Sequence, residues 1–404
     1  MSTQSIDREN ITARPVKTSD LPKSLANRPA LGELGNKVLH VNHDNIQKKT
    51  LMGPPALQKQ QENTIKSYSK TEKSTTTKTE DKSSNQKLKR EESLVKKIVS
   101  AKVQAKLNSF SSFKYCTIED PDEETKDQPQ MVTEYLEDIF GYLREMETKF
   151  SIKENYLEKH SSTPKMRAIL INWLVEVHQN FKLCVETLHL SVGIVDRYLQ
   201  MTTNIGRDTL QLVGIAAVFI ASKYEEMYFP EIGDFVYLCD DAFSKKQIIR
   251  LEIHILKKLE FNLGRPLPIH FLRRYSKIGK VSAIQHILGK YLLDLALVEY
   301  KLCHIKPSIL AAAACCLSVA ILNDVLDISK VWTPTMIHYT TYEYLDFKPV
   351  MIELASLIIK SVDLKHQAAR TKYAAAKFRK ISLHPNLNGQ LVRMLALQSS
   401  KIKK

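Results

Sequence analysis

"LQLVGIAAVFIASKYEE", residues 210–226, and "PSILAAAACCLSVAIL", residues 307–322, decide the fold of this 404-residue chain. Both are rich in Ala with bulky residues between, and both are apolar nearly all round. Such a helix is buried among other helices, and Ala lets its neighbours approach closely. The offset from Leu210 to Pro307 is too long for a solenoid repeat. It predicts two tandem helical domains, each built around one of these segments and joined near Asn262–Pro266.

Around the two segments the pattern stays helical, with apolar residues recurring at three and four and with Gly and Pro between segments. The spacing predicts helices near 131–149, 164–180, 186–201, 207–226, 230–238 and 244–260, then near 267–278, 281–300, 306–323, 334–342 and 347–380. No run sustains strict alternation, so no sheet is expected. The expected fold class is all-α.

The first part of the chain differs in kind. Before Phe110 the only aromatic is Tyr68, and Cys and Trp are absent. So few large apolar groups cannot offset the entropy of ordering a backbone, and residues 1–125 read as a disordered tail. "SYSKTEKSTTTKTEDKSS", residues 67–84, is polar and of low complexity. Leu94, Ile98, Val99, Val103 and Leu107 have the spacing of a marginal amphipathic helix. The acidic stretch "EDPDEETKD" closes the tail. At the other end, residues 386–404 read as a C-terminal tail.

Net charge is +15. Through Tyr115 there are 22 Lys+Arg against 11 Asp+Glu, so much of the excess lies in the tail. A solvated basic tail explains that run, and no direct nucleic-acid contact is expected. The six cysteines are scattered, without C-x-x-C or metal-like pairing with His. They read as reduced core residues, and no metal or cofactor is expected. The longest apolar run, Ile309 to Leu322, is shorter than a membrane span, so the chain reads as soluble without membrane insertion. Gly-rich phosphate loops, G-x-S-x-G and H-E-x-x-H are absent, so no catalytic residue is proposed.

"STPKMRAILINWLVEVH", residues 162–178, opens with a capping Thr163 and with Pro164 at the first helical position. Met166, Ile169, Leu170, Trp173 and Val177 share one face, while Ala168, Ile171, Leu174 and Val175 face another way. The helix is either core on both sides or core on one and a peptide groove on the other. Arg167 and Asp196 each place a charge inside an apolar helix, and a buried charge needs a partner. Lys223 and Glu252 continue apolar stripes, where a charge either snorkels or meets a partner. His286 and Lys290 lie one turn apart and share a helix face. With Arg273 they form either a basic pocket or a solvated basic face.

These segments resemble the cyclin family. "MRAIL", "NWLVEVH", "ETLHLSVGIVDRYL", "LQLVGIAAVFIASKYEE" and "FVYLCDDAFSKKQIIRLE" are similar to the first cyclin box. "LGRPLPIHFLRRYSKIG" and "KYAAAKFRKIS" are most similar to G2/mitotic B-type cyclins. The resemblance covers about residues 131–385. It implies two tandem five-helix cyclin boxes, 131–262 with a preceding helix and 263–385. Asn172 departs from the pattern, since the family usually has Asp before the Trp.

The resemblance further implies a non-catalytic regulatory subunit that binds and activates a mitotic cyclin-dependent kinase at the G2/M transition. It implies a buried Arg167–Asp196 pair, and a kinase-binding surface at Lys223 and Glu252. A groove of Met166, Ile169, Leu170, Trp173, Glu176 and Gln211 would take Arg-x-Leu substrates and inhibitors, with Glu176 on the Arg. Arg273, His286 and Lys290 would form a phosphate pocket.

In the tail, Arg28, Leu31 and Asn36 of "NRPALGELGNK" resemble the destruction box of mitotic cyclins. A ubiquitin-ligase co-activator would read it as an extended peptide, leading to ubiquitination and degradation at mitotic exit. Lys153-Glu154-Asn155 is a second, degron-like triplet. The expected location is cytoplasm and nucleus, with the centrosome and spindle. The competing class is a cyclin-fold general transcription factor binding DNA and polymerase. That class needs a zinc ribbon ahead of the helices, and no Cys precedes Cys116.

Overall fold

The computed structural model describes residues 118–402, and among them there are thirteen α-helices and no strand. Five build the first box: α2 (Pro164–Asn180), α3 (Val185–Met201), α4 (Arg207–Glu225), α5 (Ile232–Leu238) and α6 (Lys245–Lys258). Five build the second: α7 (Pro268–Ile278), α8 (Ala283–Val298), α9 (Pro307–Leu322), α10 (Pro334–Thr340) and α11 (Tyr344–Lys360). Ahead of them stands α1 (Leu136–Lys149). After them come α12 (Ala368–Tyr373) and α13 (Gln390–Ile402).

The starts follow local chemistry. Thr163 accepts from the Met166 amide at 3.3 Å, with Pro164 at the first helical position. Ser244 with Gln247, and Ser282 with Gln285, close capping boxes on α6 and α8. The central helices are α4 and α9, as their composition predicts. Ala216, Ala217 and Ala221 are buried in one, and Ala311 to Ala314 in the other. Close approach is enforced at Gly214, where a Cβ would stand 2.7 Å from Leu170 Cδ1. Each box adds an aromatic cluster: Phe235 touches Phe181 and Phe219, and Trp332 touches Tyr275 and Phe347.

Several expected boundaries move. The helix expected from residue 131 begins at Leu136, because Val132 takes a left-handed conformation (φ 52°) between two short 3₁₀ turns. The helix expected over 347–380 is two, α11 and α12. Between them the Gln367 amide donates to the carbonyls of Ser361 and Leu364, at 2.9 and 2.5 Å, which fixes a turn. Residues 386–404, expected as a tail, carry α13, which buries Leu391, Val392 and Leu395 and donates from Ser399 to Glu353. Residues 118–125, expected within the tail, lie on α7, where Asp122 is buried and pairs with Arg274 and Lys277, each at 2.7 Å. Tail residues 1–117, with Arg28, Leu31 and Asn36, lie outside the described residues.

The boxes meet around a buried polar cluster. Asp294 of α8 pairs with Lys372 of α12 at 2.7 Å and with His189 Nε2 of α3 at 3.2 Å. Burial opposes charge on Asp294, but Lys372 and His189 outweigh it and hold the carboxyl well below the usual range. His178 of α2 lies beside this cluster, and burial, aided by Lys372, lowers its pKa to about 3. An unfolded chain holds an ordinary histidine near pH ~6.5, so it takes up a proton that the folded state refuses. This contribution is complete above that pH and is lost as pH falls toward 3. Between about pH 6.5 and 5 the loss is about 2 kcal/mol. His178→Gln should flatten urea-unfolding stability against pH by that amount, and an unchanged slope would exclude His178 as its source.

Candidate functional site

Arg167 sits on α2 with only 1% of its surface exposed. Its Nε donates to Asp196 Oδ1 at 2.6 Å and its Nη2 to Asp196 Oδ2 at 2.7 Å, a bidentate pair with α3. Nη1 donates to the carbonyls of Leu297 and Val298, at 3.0 and 3.4 Å. Those are terminal carbonyls of α8, which lack partners within their own helix. Tyr156 adds a donated bond to Asp196 at 2.7 Å. Burial costs Arg167, yet Asp196 more than restores it and raises the guanidinium pKa further.

Lys223, near the end of α4, pairs with Glu252 of α6 across the first box. Its ammonium lies 4.2 Å from the centre of the Phe219 ring. The pair is only partly covered, with Lys223 34% exposed. Large apolar groups stand exposed on the same two helices and the chain that leaves them: Tyr224, Met227, Ile249, Ile253 and Phe261. Ile249 and Ile253 lie one turn apart on α6, beside Glu252. On α1, Ile139 and Tyr142 are also exposed, with Tyr135 one turn ahead. Exposed apolar residues on α4, α6 and the chain after them, beside a half-covered ion pair, have the make-up of an interface. Sequence periodicity missed these residues, because an isoleucine on a helical stripe reads as core.

The residues expected to line a groove, five on α2 and Gln211 on α4, divide by depth. Met166, Ile169 and Glu176 are half-buried. Leu170 is fully buried against Gly214 of α4 and lies beneath the surface. Trp173 and Gln211 are 3% and 6% exposed, and among the described residues neither Trp173 Nε1 nor Gln211 Nε2 has a hydrogen-bond partner. Two buried donors without acceptors are costly unless a ligand supplies them. Asn172 donates to Glu176 at 3.2 Å and accepts from the Ala368 amide at 3.0 Å, so it caps α12 through its carbonyl oxygen. An Asp there could accept that same bond.

Arg273, His286 and Lys290 come together between α7 and α8. Burial, then Lys290 and Arg273, push His286 down to about 4. Burial, then Arg273, lower Lys290. His286 Nδ1 lies 2.8 Å from Ser276 Oγ. Arg273 reaches Glu186 at the start of α3, a contact the sequence reading did not anticipate. Lys153, Glu154 and Asn155 are exposed on a turn after α1.

Nothing in the described residues gathers three or more His, Cys, Asp or Glu side chains able to hold a metal. Burial pushes the thiols of Cys184, Cys239, Cys303 and Cys315 up to about 12, so they stay protonated. A cavity of about 490 Å³ lies among Phe140, Arg144, Arg274 and Tyr339. No helix among the described residues is long and apolar enough to cross a membrane.

Comparison with known families matches residues 138–264 to the cyclin N-terminal domain and residues 266–387 to the cyclin C-terminal domain. The G2/mitotic-specific cyclin-B of Patella vulgata is 42% identical over 389 residues, covering 92% of this chain and 91% of that protein. The G2/mitotic-specific cyclin-B of Spisula solidissima is 49% identical over 282 residues, covering 70% of this chain and 64% of that protein. The G2/mitotic-specific cyclin-B1 of Xenopus laevis is 46% identical over 281 residues, 69% of each chain.

Proposed function

The chain belongs to the cyclin family, and we propose that it is the B-type regulatory subunit that binds and activates a mitotic cyclin-dependent kinase. The observation that carries this reading is the Lys223–Glu252 pair set among exposed apolar side chains of α4 and α6. A kinase docked there has its mobile αC helix held inward, which sets the Lys–Glu pair that positions ATP phosphates. Carrying a kinase from mostly inactive to mostly active needs about 5.5 kcal/mol of differential binding. One partly exposed ion pair supplies roughly 1 kcal/mol or less. The apolar surface therefore carries the energy, and the pair sets register and polarity.

Two further roles extend the reading. The groove on α2 takes Arg-x-Leu peptides from substrates and inhibitors. Met166, Ile169 and Trp173 receive the Leu, Glu176 receives the Arg, and Trp173 Nε1 and Gln211 Nε2 donate to peptide carbonyls. The Arg28, Leu31 and Asn36 segment is read by a ubiquitin-ligase co-activator, so that the kinase's activity ends when this subunit is degraded at mitotic exit.

Exchanging the pair, Lys223→Glu with Glu252→Lys, keeps an internal ion pair but reverses the polarity shown to a kinase. The exchanged protein should keep its urea midpoint and lose kinase activation by at least about tenfold. Full activation would show that the pair is internal only. Glu176→Gln should weaken an Arg-x-Leu peptide by about tenfold or more. An alanine in place of the peptide's Arg should then cost nothing further; additive losses would place the Arg elsewhere. Arg28→Ala with Leu31→Ala should prolong the chain's half-life through mitotic exit, and unchanged turnover would remove the degradation signal from that segment.

A further inference from the structure

The cavity of about 490 Å³ lies where α1, α7 and α10 meet the segment ahead of α1. That volume suits a small ligand or a few residues of peptide. Several charges on its wall are already matched. Asp122 is held by Arg274 and Lys277, at 2.7 Å each, and Lys126 lies 3.0 Å from Asp120. Arg274 also lies against the rings of Phe140 and Tyr339, 5.8 and 5.7 Å from their centres. Other wall groups have no match. Tyr275 is 2% exposed, and its hydroxyl has no hydrogen-bond partner among the described residues. Arg144 spends its Nε on the Phe140 carbonyl at 3.2 Å, and among the described residues no acid pairs with its Nη groups. The two are near enough that Arg144 opposes the rise that burial causes in the Tyr275 pKa. Glu134 and Glu137 are exposed on the same wall, and among the described residues no cation pairs with either.

Glu137, Phe140 and Arg144 follow one another at three and four residues. One stripe of α1 therefore runs along the cavity from acid through ring to base. Exposed Tyr135, Ile139 and Tyr142 lie on the opposite face of α1, so the stripe is separate from the surface offered to a kinase. We propose that the cavity binds a short dipolar peptide: its carboxylate on Arg144 and the Tyr275 hydroxyl, a Lys or Arg on Glu134 and Glu137, and an apolar side chain between them against Phe140 and Tyr339. A planar guanidinium fork suits a carboxylate, and the buried hydroxyl adds a donor that has no bond to give up. A doubly charged phosphate is a worse match. It would find Arg144 as its unpaired cation, with Glu134 and Glu137 repelling the second charge. Glu137 and Arg144 stand two turns apart, about 10 Å along the axis. An extended chain crosses that distance in about three residues, which sets the spacing between the peptide's acid and base.

The test uses the full chain and two tetrapeptides with acetylated and amidated ends, Lys-Phe-Ala-Glu and its reverse, Glu-Ala-Phe-Lys, titrated by ligand-detected NMR. Free 3-phenylpropionate is the small-acid control. One of the two orders should bind, and Gln in place of its Glu should weaken it by about tenfold. Gln in place of its Lys should cost about threefold, since Glu134 and Glu137 are exposed. Arg144→Gln should lose the same tenfold and should no longer tell the Glu peptide from the Gln peptide. Tyr275→Phe should weaken binding by about threefold without lowering the urea midpoint, because the hydroxyl makes no bond within the folded chain. If neither order binds at millimolar concentration, the site falls. If a peptide binds but Arg144→Gln and Tyr275→Phe leave it unchanged, it binds elsewhere and the assignment falls. If 3-phenylpropionate binds as tightly as the peptide, the occupant is a free organic acid and the peptide proposal falls. None of these outcomes bears on kinase activation, which is read separately.

Discussion

Arg167 is the group on which the two boxes depend. One face of its guanidinium is satisfied by Asp196 in the same box, and another by the terminal carbonyls of α8 in the other. Removing one member of a buried pair leaves the other charged and unpaired, at a cost of about 3–5 kcal/mol. Here the cost is compounded, because the end of α8 would lose its cap as well. A cation at a helix C-terminus also meets a favourable dipole.

The same device recurs wherever elements meet. Buried Glu147 of α1 accepts from the amide and hydroxyl of Ser308, at 3.0 and 2.7 Å, and so closes the N-terminus of α9. Glu226 does this for α3, and Asn172 for α12. Apolar burial is not directional, so it holds helices together without fixing their ends. Side chains placed on helix termini supply the direction. A buried terminus with no such partner would be penalised, which makes each of these four contacts a constraint on how its elements are set.

How much was legible in the sequence follows from this division of labour. The Ala-rich helices α4 and α9 announce themselves, since no polar face interrupts them. The tandem arrangement follows from the same reasoning about burial, which also requires partners for Arg167 and Asp196; that they pair with each other is what the family resemblance implies, and the structure joins them. Harder to see was the break between α11 and α12, which Gln367 makes through carbonyls six and three residues back. Propensity does not encode a side chain that folds back on its own chain. Nor does periodicity distinguish buried Ile248 and Ile255 from exposed Ile249 and Ile253 on α6. That distinction depends on where α4 lies.

Charge pairing across elements was the least legible feature, and it bears most on function. Lys223, Glu252 and Arg273 stood out as single charges on apolar or basic stripes, each open to an outside partner. In the folded chain each has an inside partner: Lys223 and Glu252 have each other, and Arg273 has Glu186. A partner that uses such a group therefore exchanges one pairing for another, and only the difference between the two reaches the binding energy. Trp173 Nε1 and Gln211 Nε2 are the opposite case, buried donors with no acceptor among the described residues to give up. In the proposed groove, a peptide carbonyl reaching them would form its bond without breaking one. Those two donors would then add to binding outright, whereas at the charged surfaces, and at Glu176, which already accepts from Asn172, only the excess over the existing pairing would count.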